Sequence, residues 1–258
     1  MIQNNIRLRT SILFLIVFLG AWFRFQGLDW DRNQHLQPDE RYISMVLSSL
    51  SLPKSIGEYL DPNTSSISPY LHNFGSYIYG QFPLTVTTYL STWLGMNSYA
   101  SSYLLGRALS ALLDTCSIIL TFKLGKILWN KRVGTIGAAF FAFSPLAIQY
   151  AHFMVMESWV VFSWLMVFLL VLQKTKKMFA KVFMIGIALG ISLAIKASSI
   201  FLVPLIVVLL LGRSFKETPS RSLLEKLVIQ CAVYCLLLTI VSALSFRFFQ
   251  PTIFSSAS

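Results

Sequence analysis

Seven apolar runs, at residues 11–28, 104–128, 133–152, 158–172, 182–195, 200–211 and 227–244, restrict this chain to one class of fold. Each is about as long as a helix needs to cross hydrocarbon, some marginally short. A backbone in lipid must satisfy its own polar groups, which points to an all-α polytopic membrane protein with about seven transmembrane helices. The composition agrees: 55% of the 258 residues are hydrophobic and only 12% are charged, which excludes an ordinary soluble domain. The first run follows Arg7 and Arg9 as a signal peptide would. It continues through Trp22, Phe23, Arg24 and Phe25 without a small-residue cleavage site, so it reads as a membrane helix with an aromatic outer end.

The net charge of +11 would suggest nucleic acid in a soluble protein, but here it is topology. Fourteen of the 21 Lys and Arg lie at Arg7 and Arg9 and in the connections 123–132, 174–181 and 213–226, all of which fall inside if the N-terminus is cytoplasmic. The same assignment leaves only Glu217 and Glu225 inside and puts Asp114 within a span. Asp29, Asp31, Asp39, Glu40, Glu58, Asp61 and Glu157 then gather outside. Cys116, Cys231 and Cys235 lie in apolar segments without zinc or disulfide spacing and read as small packing residues.

Between the first two spans lies a long polar connection, residues 29–76, whose length suggests function. Pro38 suits a first helical position, and Ile43, Val46, Leu47 and Leu50 recur on one helical face, so residues 38–50 are predicted to form a short helix lying on the membrane. Residues 77–94, interrupted by Gly80, Gln81 and Pro83, are read as an interfacial or half-inserted helix, because a full span there would reverse every later segment against the charge pattern. The whole chain, 1–258, is one transmembrane module, with residues 29–100 as its first outer loop.

Asp39 and Glu40 fall in the first turn of the predicted outer helix, where the dipole favours carboxylates. They either cap that helix or serve as a base or metal ligands, and Asp39 is expected on the apolar face, turned towards protein or membrane. Glu157 is predicted at the same level, at the outer end of the following spans. Lys196 stands at an outer turn and Arg107 opens the second span on that side, so the two are expected either to bind a phosphate or to snorkel to headgroups. Asp114 is read as a helix-to-helix hydrogen bond. His35, His72 and His152 lack metal-ligand spacing and read as interfacial polar contacts.

Taken in order, Gln37-Pro38-Asp39-Glu40-Arg41-Tyr42, Tyr79-Gly80-Gln81-Phe82-Pro83-Leu84, residues 106–112 and residues 149–157 resemble the membrane-embedded GT-C glycosyltransferases, especially the bacterial family 39 protein mannosyltransferases and the aminoarabinose transferases of lipid A. The resemblance implies a glycosyltransferase that moves a sugar from a polyprenyl-phosphate donor to an acceptor hydroxyl, with inversion, on the extracytoplasmic face of the plasma membrane. By motif Asp39 is the base, Glu40 its helper and Glu157 the second acid, where many relatives carry Asp. Lys196, Arg107 and Arg41 would hold the donor phosphate, and Tyr42 and His152 would contact substrate. Mg or Mn between Asp39, Glu40 and Glu157 is compatible with hard oxygen ligands but not required. The implied partners are the lipid-linked sugar, membrane lipid and a protein, lipid or glycan acceptor, with no nucleic acid. Members are usually longer, so a chain of this length is expected to be a short or truncated one. The alternatives are a non-catalytic relative that binds lipid-linked sugar, and a transporter or flippase for it, which would need polar residues near the bilayer midplane.

Overall fold

The computed structural model describes residues 2–214 and 221–253, with residues 2–10, 211–214 and 221–227 described as backbone alone. The expected inner placement of the Arg7, Arg9, Glu217 and Glu225 side chains lies outside the described residues. Every described element is helical. α1 (Ile2–Phe25) leads into a region at one end of the long helices, called the outer end by position in the fold alone, holding α2 (Pro38–Ser49), α3 (Ile56–Leu60) and α4 (Phe82–Leu94). Then come α5 (Tyr99–Leu128), α6 (Lys131–Ala142), α7 (Pro145–Ala151), α8 (Met156–Leu172), α9 (Met178–Ile195), α10 (Leu202–Ser214) and α11 (Arg221–Phe249). Each predicted apolar run is helical. Three helices among the described residues are long and apolar enough to span alone: α5, α9 and the Val228–Phe249 part of α11. α6 and α7 together are long enough but bent by 59°, and Ser11–Phe25, Met156–Leu172 and Ala197–Leu210 are shorter apolar helices.

The break in the third predicted span has a sequence cause. Pro145 occupies the first turn of α7 and Ser144 caps it, so the chain cannot continue the helix of α6 through this point. The carbonyls freed at the end of α6 are taken by Arg24, which is fully buried. Its guanidinium donates to Ala142 O at 2.8 Å, Phe141 O at 3.1 Å and Gly20 O at 2.9 Å, and its Nε meets Asp114 Oδ2 at 2.6 Å. Asp114 therefore makes the interhelical contact expected of it, as an ion pair rather than a neutral hydrogen bond. A buried charge needs this full set of partners.

α9 and α11 approach through small residues. A Cβ on Gly190 would stand 2.5 Å from Ser245 Cβ and 2.6 Å from Ser242 O, so only a hydrogen fits there. At the opposite end of the bundle Lys181 donates to Val171 O and Gln173 O, satisfying the last carbonyls of α8.

The outer region is a folded cap. Ile43, Val46, Leu47 and Leu50 are buried, as their spacing requires, but against Tyr59, Ile67, Tyr77, Met154 and Trp159. α2 thus packs on protein, which corrects the expectation that it lies on the membrane. α4 has 13 residues, with Pro83 in its first turn and Gly95 closing it at φ 69°. At a rise of 1.5 Å per residue it is about 20 Å long, too short to cross a hydrocarbon layer of about 30 Å, in keeping with a half-inserted helix.

The segment before α4 is fastened to the end of α9. Gly80 N–H donates to Ile195 O at 3.0 Å. A Cβ on Gly80 would meet Ala194 O at 2.0 Å and Ala194 C at 2.4 Å, both rigid backbone atoms. Gly80→Ala is therefore expected to lift this segment off α9 and to destabilise the chain by about 1–3 kcal/mol, read as a lower melting midpoint in detergent. A midpoint equal to the parent's would contradict this contact.

Candidate active site

α2, α5, α7, α8 and the turn after α9 bring their outer ends together, and the charged residues there divide into two sets. The first is buried. Arg107, fully enclosed in α5, holds Glu40 through Nε to Oε1 at 2.8 Å and Nη2 to Oε2 at 2.5 Å. It holds Asp31 through Nη1 to Oδ1 at 3.1 Å and Nη2 to Oδ2 at 2.9 Å, and donates to Leu28 O as well. Glu40 Oε1 also accepts the backbone N–H of Met154 at 2.7 Å, so this one carboxylate ties α2 to α5 and to the start of α8. The rings of Trp30 and Tyr103 cover the guanidinium, 5.4 and 4.7 Å from their centroids. Burial alone would raise the Asp31 pKa, but bonds from Arg107 and the Leu36 N–H outweigh it and hold the carboxyl below its ordinary value.

Three expectations are corrected by this geometry. Arg107 does not stand with Lys196 to receive a phosphate, because every face of its guanidinium is occupied within the protein. Glu40 is not a helper carboxylate facing substrate, because its oxygens are committed to Arg107 and Met154. The metal set Asp39, Glu40 and Glu157 fails for the same reason, and among the described residues no three His, Cys, Asp or Glu side chains gather to hold an ion.

The second set is open. Asp39, expected on the buried face of α2, is exposed, because Arg107 draws its neighbour Glu40 inward and turns the helix accordingly. The Tyr79 phenol is close enough to the Asp39 and Glu157 carboxylates to feel the charge of both. Burial raises the Tyr79 pKa and the two carboxylates raise it further, so the hydroxyl keeps its proton and can donate it in a hydrogen bond. Glu157, in the first turn of α8, pairs with Lys196 at 3.2 Å, and both side chains are more than a third exposed. Asp39, Tyr79 and the Glu157–Lys196 pair thus lie near one another at this surface. Tyr79, which sequence reasoning placed only inside a motif, stands within electrostatic reach of both acids.

Two hollows adjoin these residues. One, of about 360 Å³, carries Glu157 and Lys196 on its wall and is otherwise largely apolar, with Val160, Val161 and Trp164, and Asp114 beside them. The other, of about 390 Å³, is bounded by Gln37 and Pro38, which lead into Asp39, and by Trp30 and Phe153. Leu146 and Tyr150 of α7 belong to both, so the bend between α6 and α7 places one short helix as the partition between them.

The remaining predicted site residues have mostly structural partners. His152 sets its two ring nitrogens 2.8 and 2.9 Å from Ile148 O and Gln26 O, joining α7 to the end of α1. Tyr42 meets Ser76 Oγ at 3.0 Å and packs on Phe74 and Tyr77. Arg41 is exposed and donates to His35 O.

Comparison with known proteins is consistent with this architecture. The fold matches a structure of the S. cerevisiae protein O-mannosyltransferase Pmt1–Pmt2 complex bound to the sugar donor, with a TM-score of 0.67 and 16% sequence identity over 96% of this chain. The chain spans 34% of the length of that relative. No curated protein sequence matches it. Residues 90–246, more than half of the chain, match the family model described as dolichyl-phosphate-mannose-protein mannosyltransferase. By this match and the GT-C fold that accompanies it, the chain belongs to the dolichyl-phosphate-mannose-protein mannosyltransferase family.

Proposed function

We propose that the chain transfers a sugar from a polyprenyl-phosphate donor to an acceptor hydroxyl at the extracytoplasmic face of the membrane. The observation that carries this reading is the Glu157–Lys196 pair on the wall of a largely apolar hollow, with Tyr79 in electrostatic reach of both Glu157 and an exposed Asp39. A prenyl chain suits the apolar walls, and its phosphate suits the Lys196 ammonium.

In this reading Asp39 removes the proton of the acceptor hydroxyl as its oxygen attacks the anomeric carbon. The bond from that carbon to the phosphate oxygen breaks, and the polyprenyl phosphate leaves with the bonding pair, its new negative charge facing Lys196. Glu157 holds Lys196 in place. Tyr79 orients the Asp39 carboxylate by donating to it. Arg107 acts at a distance by fixing Glu40, which sets the rotation of α2 and so the exposure of Asp39.

One displacement inverts the anomeric centre, and that outcome is the test. Membranes containing the intact chain, given a polyprenyl-phosphate sugar of known configuration, are expected to form product of the opposite configuration. Product of retained configuration contradicts single displacement, and absence of transfer contradicts the function itself. Tyr79→Phe removes the hydrogen bond proposed to orient Asp39 during transfer, worth about 1.5–3 kcal/mol for a charged acceptor. It is expected to lower kcat by roughly tenfold or more with the donor KM unchanged. A change in KM alone would place Tyr79 in donor binding instead.

A further inference from the structure

A hollow of about 670 Å³ lies away from the site just described. It runs between α3, α4 and the outer end of α11, and its walls include Tyr59, Phe82, Val86, Tyr89, Phe248 and Phe249. These rings brace one another. Phe82 and Phe249 meet edge to face at 5.0 Å, Tyr59 and Phe248 lie 5.8 Å apart, and Tyr59 Oη donates to Phe248 O at 2.8 Å. The groove is therefore formed without a ligand, and its volume lies in the range of about 300–1,000 Å³ typical of small-molecule sites.

Its position identifies what fills it. Leu236, Ile240, Leu244 and Phe248 recur at helical spacing along α11 and are 48–67% exposed, the signature of a surface that faces lipid. Phe248 is both the last of that stripe and a wall of the groove, so the lipid-facing surface of α11 leads directly into it. Charge at the outer end selects the head. The half-buried Arg247 donates to Pro251 O and Leu60 O and makes no ion pair among the described residues; it stands next to the groove wall residue Phe248 and within electrostatic reach of Tyr59. Lys54 is exposed beside Pro53 and Ser55 at the mouth, although Glu58 lies near it and accepts its backbone N–H.

We propose that this groove is a binding site for an anionic membrane phospholipid, with one acyl chain rising along α11 into the aromatic pocket and the headgroup held near Arg247. The donor's prenyl chain is the wrong occupant, because Phe82 packs edge to face on Trp159 at 6.1 Å, and this pair stands between the groove and the side of α8 that carries Glu157. A bound chain would clasp α4 to α11 from outside.

Native mass spectrometry of the intact chain in mild detergent, titrated with palmitoyl-oleoyl phosphatidylglycerol, tests this directly. One adduct is expected to survive detergent that strips the rest, to bind at least tenfold more tightly than the phosphatidylcholine analogue, and to weaken at least tenfold in Ile56→Glu and in Val86→Trp. Ile56 is 75% exposed on α3, so its substitution tests the site without threatening the fold, while Val86→Trp fills the groove. Equal affinity for the two lipids, unchanged affinity in both variants, or displacement of the adduct by polyprenyl phosphate would each overturn the proposal. Sugar transfer is not part of the readout, so the result stands apart from the catalytic reading.

Discussion

Arg107→Met is expected to destabilise the folded chain by about 3–5 kcal/mol, the usual consequence of stripping one partner from a buried ionic cluster. The arginine makes five bonds, to Asp31, Glu40 and Leu28 O, and its loss leaves two carboxylates enclosed without a counter-charge. The expected readout is a strongly lowered melting midpoint in detergent, or failure to accumulate in membranes. Neutralising both acids in the same chain, by Asp31→Asn and Glu40→Gln, is expected to restore much of the loss, because it removes the orphaned charges. A single variant that melts like the parent would show that the cluster does not hold α2 to α5.

The same cluster gives the chain an acid sensitivity with a definite sign. The Asp31 pKa is lower in the folded chain than in the unfolded one, so its contribution to stability is complete above the ordinary carboxylate pKa. That contribution is lost as pH falls through the folded value, below about pH 4. In Arg107→Met the lowering is removed, and this part of the acid sensitivity is expected to disappear.

Much of this architecture is legible in the sequence, and the parts that are not share a physical cause. Apolar length placed the helices, and the spacing of Ile43, Val46, Leu47 and Leu50 identified the buried face of α2. Spacing put Asp39 on that face, whereas the structure turns Glu40 inward. That choice rests on Arg107, 67 residues further along the chain. The Arg24–Asp114 pair spans 90 residues and is hidden for the same reason. Arg107 misled because a basic residue at a membrane boundary suits an anionic ligand and an internal carboxylate equally well. The bend between α6 and α7 is different, since Pro145 marks it locally, yet the continuous apolar run of 133–152 outweighs that mark when length is the criterion. Glu157 and Lys196 were each placed at the outer surface by the charge pattern. Their pairing, and the nearness of Tyr79 to both acids, required coordinates.

In the proposed reaction the two neighbours divide the work: Glu40 holds the structure and Asp39 is the base. Asp39 is exposed and carries none of the bonds that fix α2, so Asp39→Asn is expected to leave the melting midpoint within about 0.5 kcal/mol of the parent. The substitution removes the base and is expected to slow transfer by about 10²–10⁴-fold. The deciding measurement is the transfer of labelled sugar from a polyprenyl-phosphate donor in membranes, with the intact chain and Asp39→Asn compared at equal folded amounts. Transfer by the intact chain and its near-complete loss in the variant are expected; equal transfer by both would rule out Asp39 as the base.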